Sequence, residues 1–135
     1  NSKINYLSMM ERLEEMGRKS EVERVNKALE LFKNEEWDKA FEMAKKTDMK
    51  NRVLQFYVGT CYLYNRGGAG VDLHKAREWF GKSARQDLAD AQYNMGHMVQ
   101  FGKGGASNLV EAVEWYRQAA ERGHVNAQVQ LVLWV

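Results

Sequence analysis

Ala89-Asp90-Ala91-Gln92-Tyr93-Asn94-Met95-Gly96 opens a stretch that runs on through Gly102-Lys103-Gly104-Gly105 to Glu114-Trp115-Tyr116-Arg117-Gln118-Ala119-Ala120, and the reading of this stretch decides the fold. Shifted by 36 positions, the chain overlies itself: Leu73 falls on Leu109, Ala76 on Ala112, Glu78 on Glu114, Trp79 on Trp115, Ala84 on Ala120, Ala91 on Ala127 and Gln92 on Gln128, with Phe80 beneath Tyr116. Residues 72–99 and 108–135 share 8 identities in 28 positions, where chance gives roughly two. Within each period, apolar residues recur at helical spacing: Leu73, Ala76, Phe80 and Ala84 in one copy, Leu109, Ala112, Val113, Tyr116 and Ala120 in the next. The preceding segments, Val53 to Tyr64 and Ala91 to Phe101, also suit helices. They carry Gly59 and Gly96, whose bare backbone lets a neighbouring helix come close.

Glycine-dense loops, Gly67-Gly68-Ala69-Gly70 and Gly102-Lys103-Gly104-Gly105, separate the two helices of each period and allow the reversal that closes a hairpin. Asp72 and Asn108 stand where they cap the second helices, Glu111 completes a capping-box spacing after Asn108, and Gly123 is placed to end the later helix. In the N-terminal third, Ile4, Leu7, Met10 and Leu13 form a stripe on a first helix expected to stop near Gly17. Ser20-Glu21-Val22-Glu23 reads as a capping box opening a second helix through Val25, Ala28, Leu29 and Phe32, and Glu35 to Phe41 open another. The chain has no proline, where a soluble protein of this length carries roughly seven; long helical chains tolerate that absence and loop-rich ones rarely show it.

These residues resemble the Sel-one-like repeat, a relative of the tetratricopeptide repeat: Gly96, Gly102 and Gly104, then Ala112-x-x-Trp115-Tyr116-x-x-Ala119-Ala120, then a fresh Ala127-Gln128. Residues 89–124 fit this pattern nearly throughout. Residues 53–88 fit it with Asn65 in place of the first loop glycine and one extra loop residue, and a third copy begins at Val125 with Val132 where the family has glycine. The resemblance implies an all-α fold, a right-handed α-α solenoid of stacked helical hairpins with about seven helices. Residues 1–52 would form capping helices with a tetratricopeptide-like hairpin around Ala28, Trp37 and Ala40, and residues 53–135 would form two repeats plus the first helix of a third, in one continuous solenoid. It also implies an interaction scaffold, and the family's abundance in bacteria implies a bacterial source.

Composition narrows the function. Through Arg52 there are 12 basic and 11 acidic residues, and beyond it 8 and 7, so neither part has the one-sided charge that nucleic acid or an acidic membrane selects. No apolar run is long enough for membrane insertion. Cys61 is the one cysteine, which excludes an intrachain disulfide and a thiolate metal cluster; its setting among Tyr57, Tyr62 and Leu63 reads as a small buried hydrophobe. The three histidines, His74, His97 and His124, make no pair at helical metal spacing and read as surface or loop residues. Gly102 to Gly105 carry a lysine, yet no strand precedes them and no hydroxyl residue follows Lys103, so turn formation explains them better than phosphate binding. Trp79 and Trp115, repeating at fixed period, are expected to pack between helices. The carboxylates alternate with lysines and arginines and read as solvated helix faces.

No catalytic constellation and no cofactor site is expected, and the chain is expected not to be an enzyme. In the related tetratricopeptide hairpins the first helix of each pair lines the concave face. Aligning Gly59 with Gly96 then selects Phe56, Thr60 and Tyr64 from one copy, and Asp90, Tyr93, His97, Gln100 and Phe101 from the next. Aromatic and amide groups spaced along a groove suit a peptide or protein loop, although the aromatics could equally serve as packing between successive first helices. The leading expectation is an adaptor that holds a protein partner in this groove. The alternatives are an inhibitor or immunity protein that blocks a toxin enzyme and, less in keeping with the residues, an enzyme. The apolar terminus Leu131 to Val135 calls for cover by a second copy or by a following helix. Beginning at Asn1 rather than methionine fits a processed or excised chain: periplasmic or secreted if a signal peptide was removed, cytoplasmic otherwise.

Overall fold

The computed structural model describes residues 2–134, apart from the side chains of residues 2–4 and 7. Seven helices follow in order: α1 (Ser2–Lys33), α2 (Trp37–Ala44), α3 (Arg52–Tyr64), α4 (Leu73–Arg85), α5 (Ala89–Phe101), α6 (Leu109–Glu121) and α7 (Val125–Leu133). No strand occurs among the described residues. From α3 to α7 each helix packs on the next, so α3/α4 and α5/α6 are successive hairpins and α7 opens a further one, in the all-α solenoid that the period of 36 implies.

Local chemistry accounts for the helix ends. Asn51 caps α3, its Oδ1 accepting from the N–H groups of Val53 and Leu54; Asp72 and Asn108 cap α4 and α6 by accepting from Lys75 and Glu111. The capping box at Asn108 stays half made, because the Asn108 N–H donates to the Val99 carbonyl and not to Glu111. Left-handed backbone closes α3 at Asn65 (φ 54°) and α5 at Gly102 (φ 65°); Asn65, the substitute for a glycine, secures the turn by accepting the Gly70 N–H.

Three contacts repeat from hairpin to hairpin. First, the Phe80 ring lies so close to Gly59, and the Tyr116 ring so close to Gly96, that a Cβ at either glycine would come within 2.8 Å and 2.7 Å of ring carbons. Both rings are fully buried. Second, the repeat glutamine clasps the helix before it: Gln92 donates to the Ala84 carbonyl and Gln128 to the Ala120 carbonyl. Third, each glycine loop rests on the start of the second helix of the hairpin before it, Gly67 against the Trp37 carbonyl and Gly104 against the Leu73 carbonyl. His74 Nδ1 meets the Gly104 carbonyl at 3.3 Å, and Arg77 donates to the Ala106 carbonyl. At the corresponding positions of α6 stand Val110 and Val113, and at the glycine position of α7 stands Val132.

Two buried clusters result. One gathers Ala28, Phe32, Phe41, Leu54, Val58 and Cys61; the other gathers Phe80, Met95, Met98, Val99 and Tyr116 around alanines. Trp79 leans against the first and Trp115 against the second, both half-buried. The tryptophans therefore do pack between helices, but the deepest position in each copy belongs to the next residue, Phe80 or Tyr116.

The N-terminal third departs from expectation. α1 continues through Gly17 and Ser20 as one helix of 32 residues. A lone glycine inside a helix costs only about 1 kcal/mol and no proline stops the chain. Ser20 does not cap: its Oγ accepts from Arg24 on the next turn, and Glu21 reaches across to accept the Asp48 N–H. Residues 8–19 are exposed, including Met10 and Leu13 of the expected stripe, while the side chains of Ile4 and Leu7 lie outside the described residues. α1 and α2 pack on each other, with Ala28 and Ala40 fully buried.

Candidate functional site

On α5 the residues Asp90, Tyr93, His97 and Phe101 follow at three- and four-residue steps and so share one face. Tyr93, Asn94, His97 and Met98 of that helix, Leu63 and Tyr64 at the end of α3, and Lys103 in the following loop enclose a cavity of about 280 Å³. Tyr64 is 61% exposed and Phe101 60% exposed, large aromatic surfaces left wet at its edge. The Phe101 ring sits 4.8 Å from the His97 ring, and the Arg66 guanidinium lies over Tyr64 at 5.1 Å. Burial, with the Lys103 ammonium adding to it, holds His97 below the usual histidine range. Neutral imidazole at physiological pH keeps both a donor and an acceptor for a ligand.

The eight residues selected from sequence do not all reach this cavity. Tyr64, Tyr93 and His97 line it, with Phe101 against His97. Phe56, half-buried, instead packs on the Phe80 ring at 5.7 Å, and Thr60 is buried with its hydroxyl donating to the Phe56 carbonyl. The amide oxygen of Gln100 accepts from the Tyr116 hydroxyl at 2.7 Å, which makes Gln100 the anchor of the buried ring. Burial, with Tyr93 adding to it, pushes the Tyr116 phenol up to about 12, so it remains a donor. Asp90 lies at the opposite end of α5, with its carboxylate 3.1 Å from His124 Nε2. His124 Nδ1 accepts the Ala127 N–H and thereby caps α7, which leaves Nε2 facing the Asp90 carboxylate. His124 also stacks on Tyr93 at 4.6 Å, tying α5 to α7.

Leu63, Asn94, Met98 and Lys103 are cavity residues that the sequence did not single out. Asn94 and Met98 complete the same helical face as Tyr93 and His97, a signal available from spacing alone. Lys103 reaches the cavity because the loop folds back beside α5, which spacing does not reveal.

Reactive chemistry finds little support elsewhere. Burial, only partly offset by Arg66, pushes the Cys61 thiol up to about 11. At pH 7 about one molecule in ten thousand then carries the thiolate, so Cys61 is expected to resist iodoacetamide in the native protein and to react fully in denaturant. Rapid labelling of the folded chain, read by mass spectrometry, would contradict its burial. Among the described residues no three metal-ligating side chains come together, and no helix is long and apolar enough to cross a membrane.

Residues 53–88 and 89–124 each match the family model of the Sel1 repeat. The chain belongs to the Sel1 repeat family. The crystal structure of a Sel1 repeat protein from Oxalobacter formigenes superposes with a TM-score of 0.74 at 33% identity, over 79% of this chain and 43% of that one. A protective antigen present in uropathogenic Escherichia coli strains, which displays an SLR fold, superposes with a TM-score of 0.62 at 26% identity, over 70% of this chain and 20% of that one. Among curated proteins, an uncharacterised protein of Neisseria meningitidis serogroup B is 30% identical over 101 residues, covering 75% of this chain. An exopolysaccharide production negative regulator of Rhizobium meliloti is 33% identical over 57 residues, covering 42% of this chain. The aligned part is 21% of the length of each of these two curated relatives. All of these relatives are bacterial. Sel1 repeats are in general protein–protein interaction scaffolds and are typically non-catalytic.

Proposed function

We propose that this chain is a non-enzymatic adaptor that holds a protein partner through the groove between α3 and α5. One observation carries the reading: Tyr64, Tyr93 and His97 line a half-open cavity, Phe101 lies against His97, and the Tyr64 and Phe101 rings are largely exposed. Aromatic side chains at the mouth of a pocket are frequent hot spots, since they bring much apolar area for little loss of side-chain freedom. A stack of hairpins is stiff, so little further ordering opposes binding. Residues 1–52 then act as the cap of the array, with residues 53–135 presenting the binding surface. The negative-regulator role named for the Rhizobium meliloti relative is of a kind that binding alone can perform.

The test is affinity capture followed by titration of the purified partner. Tyr93 supports His124 and is a poor probe, whereas Tyr64 and Phe101 are exposed. The double variant Tyr64→Ala/Phe101→Ala is expected to weaken binding more than about tenfold while its thermal unfolding stays unchanged. Undiminished affinity in a folded double variant would remove the groove from the function.

A further inference from the structure

We infer that the partner's element entering the α3/α5 cavity is an acidic side chain, aspartate or glutamate, carried between apolar neighbours; this rests on the groove reading above. The cavity wall contains Lys103, the imidazole of His97, the amide of Asn94 and two phenols, but no carboxylate. A second cation, Arg66, lies over the Tyr64 ring at 5.1 Å while stacking on Trp37 at 4.4 Å. The carboxylate on the same face of α5, Asp90, lies at the far end of the helix and is engaged by His124. Among the described residues Lys103, like most cations of the chain, has no carboxylate partner, so its ammonium is left to meet a ligand's anion.

The Lys103 side chain makes no hydrogen bond to the end of α5 among the described residues. Three carbonyls in the last turn of α5 are met without its ammonium: Met98 accepts the Gly102 and Lys103 N–H groups, Val99 the Asn108 N–H, and Gln100 the Ser107 hydroxyl. A half-buried lysine beside an imidazole and an amide, in a hollow walled by Leu63 and Met98, complements an anion with an aliphatic stem. The cavity of about 280 Å³ is too small for a folded module. It lies at the small end of pocket sizes, suited to one or two side chains of an extended segment.

Random linear peptides displayed on phage and selected on the full chain provide the test, with counter-selection on Tyr64→Ala/Phe101→Ala. The expected peptides place Asp or Glu beside apolar or aromatic residues. Lys103→Gln should weaken such a peptide more than about tenfold, while the same substitution should matter little to the peptide's own Glu→Gln version; high salt should weaken the original pair. Peptides that need Tyr64 and Phe101 yet lack an acid, or bind Lys103→Gln unchanged, would overturn the acidic assignment and leave the groove standing. Recovery only of peptides indifferent to Tyr64 and Phe101 would overturn the groove itself, and this inference with it.

Discussion

Replacing Tyr116 by alanine should lower the unfolding free energy by about 3–5 kcal/mol, the range for removing a large buried aromatic side chain from a core. The ring is 1% exposed, lies against the bare backbone of Gly96, touches Tyr93 and Trp134, and holds the Gln100 amide through its hydroxyl. Removal leaves a hole bounded by helix backbone, which cannot collapse without moving α5 against α6. Total stability for a domain of this size is about 5–15 kcal/mol, so the variant loses a large fraction of it. Urea unfolding followed by circular dichroism reads the change. Tyr116→Phe, which keeps the ring and forfeits one hydrogen bond, should lose only about 1 kcal/mol. A loss within about 0.5 kcal/mol for the alanine variant would place the ring at the surface and contradict the packing of the hairpin.

Gly104→Ala should destabilise by about 2–5 kcal/mol, summing left-handed backbone strain for a residue bearing a Cβ with an overpacking cost of about 1–3 kcal/mol. Gly104 sits at φ 73°, and a Cβ there would come 2.2 Å from the Leu73 carbonyl oxygen and 2.6 Å from its carbon. Main chain meets main chain, so no rotamer change relieves the clash. The loop must lift from α4 and forfeit the contacts of His74 and Arg77 with it. Gly68→Ala separates the two causes: its φ is 74°, but nothing lies within 4 Å of the added atom, so strain alone remains, about 1–2 kcal/mol. Equal losses in the two variants would show that the loop does not bear on α4.

The repeat makes the fold readable in the sequence, because identical spacings of small and large residues demand identical contacts. Gly59 and Gly96 marked the close approaches correctly. Which ring fills them was less legible: Trp79 and Trp115 are the conspicuous residues, while their neighbours Phe80 and Tyr116 take the buried seats, since one step along a helix turns a side chain by about 100°. The unbroken α1 was misread at Gly17 and Ser20 because local stop and start signals are weak beside the cooperativity of a long helix. Within the candidate site, Tyr64, Tyr93, His97 and Phe101 came from the resemblance to tetratricopeptide hairpins, whose first helices line the concave face, with Gly59 and Gly96 setting the register. Phe56, Thr60 and Gln100 come from the same alignment, yet they engage Phe80, the α3 backbone and Tyr116, because a wide helix face meets two neighbours at once. Lys103 was hidden, since its place depends on the path of a loop.

The valine at position 132 limits what can lie alongside α7. In the two complete hairpins, aromatic rings reach the preceding helix only because Gly59 and Gly96 present naked main chain. Val132 fills the same register with a branched side chain, so a ring of that kind would be held off by roughly the thickness of a methyl group. Any surface that covers α7 must therefore fit a ridge of aliphatic carbon, a shape that neither Phe80 nor Tyr116 has to accommodate.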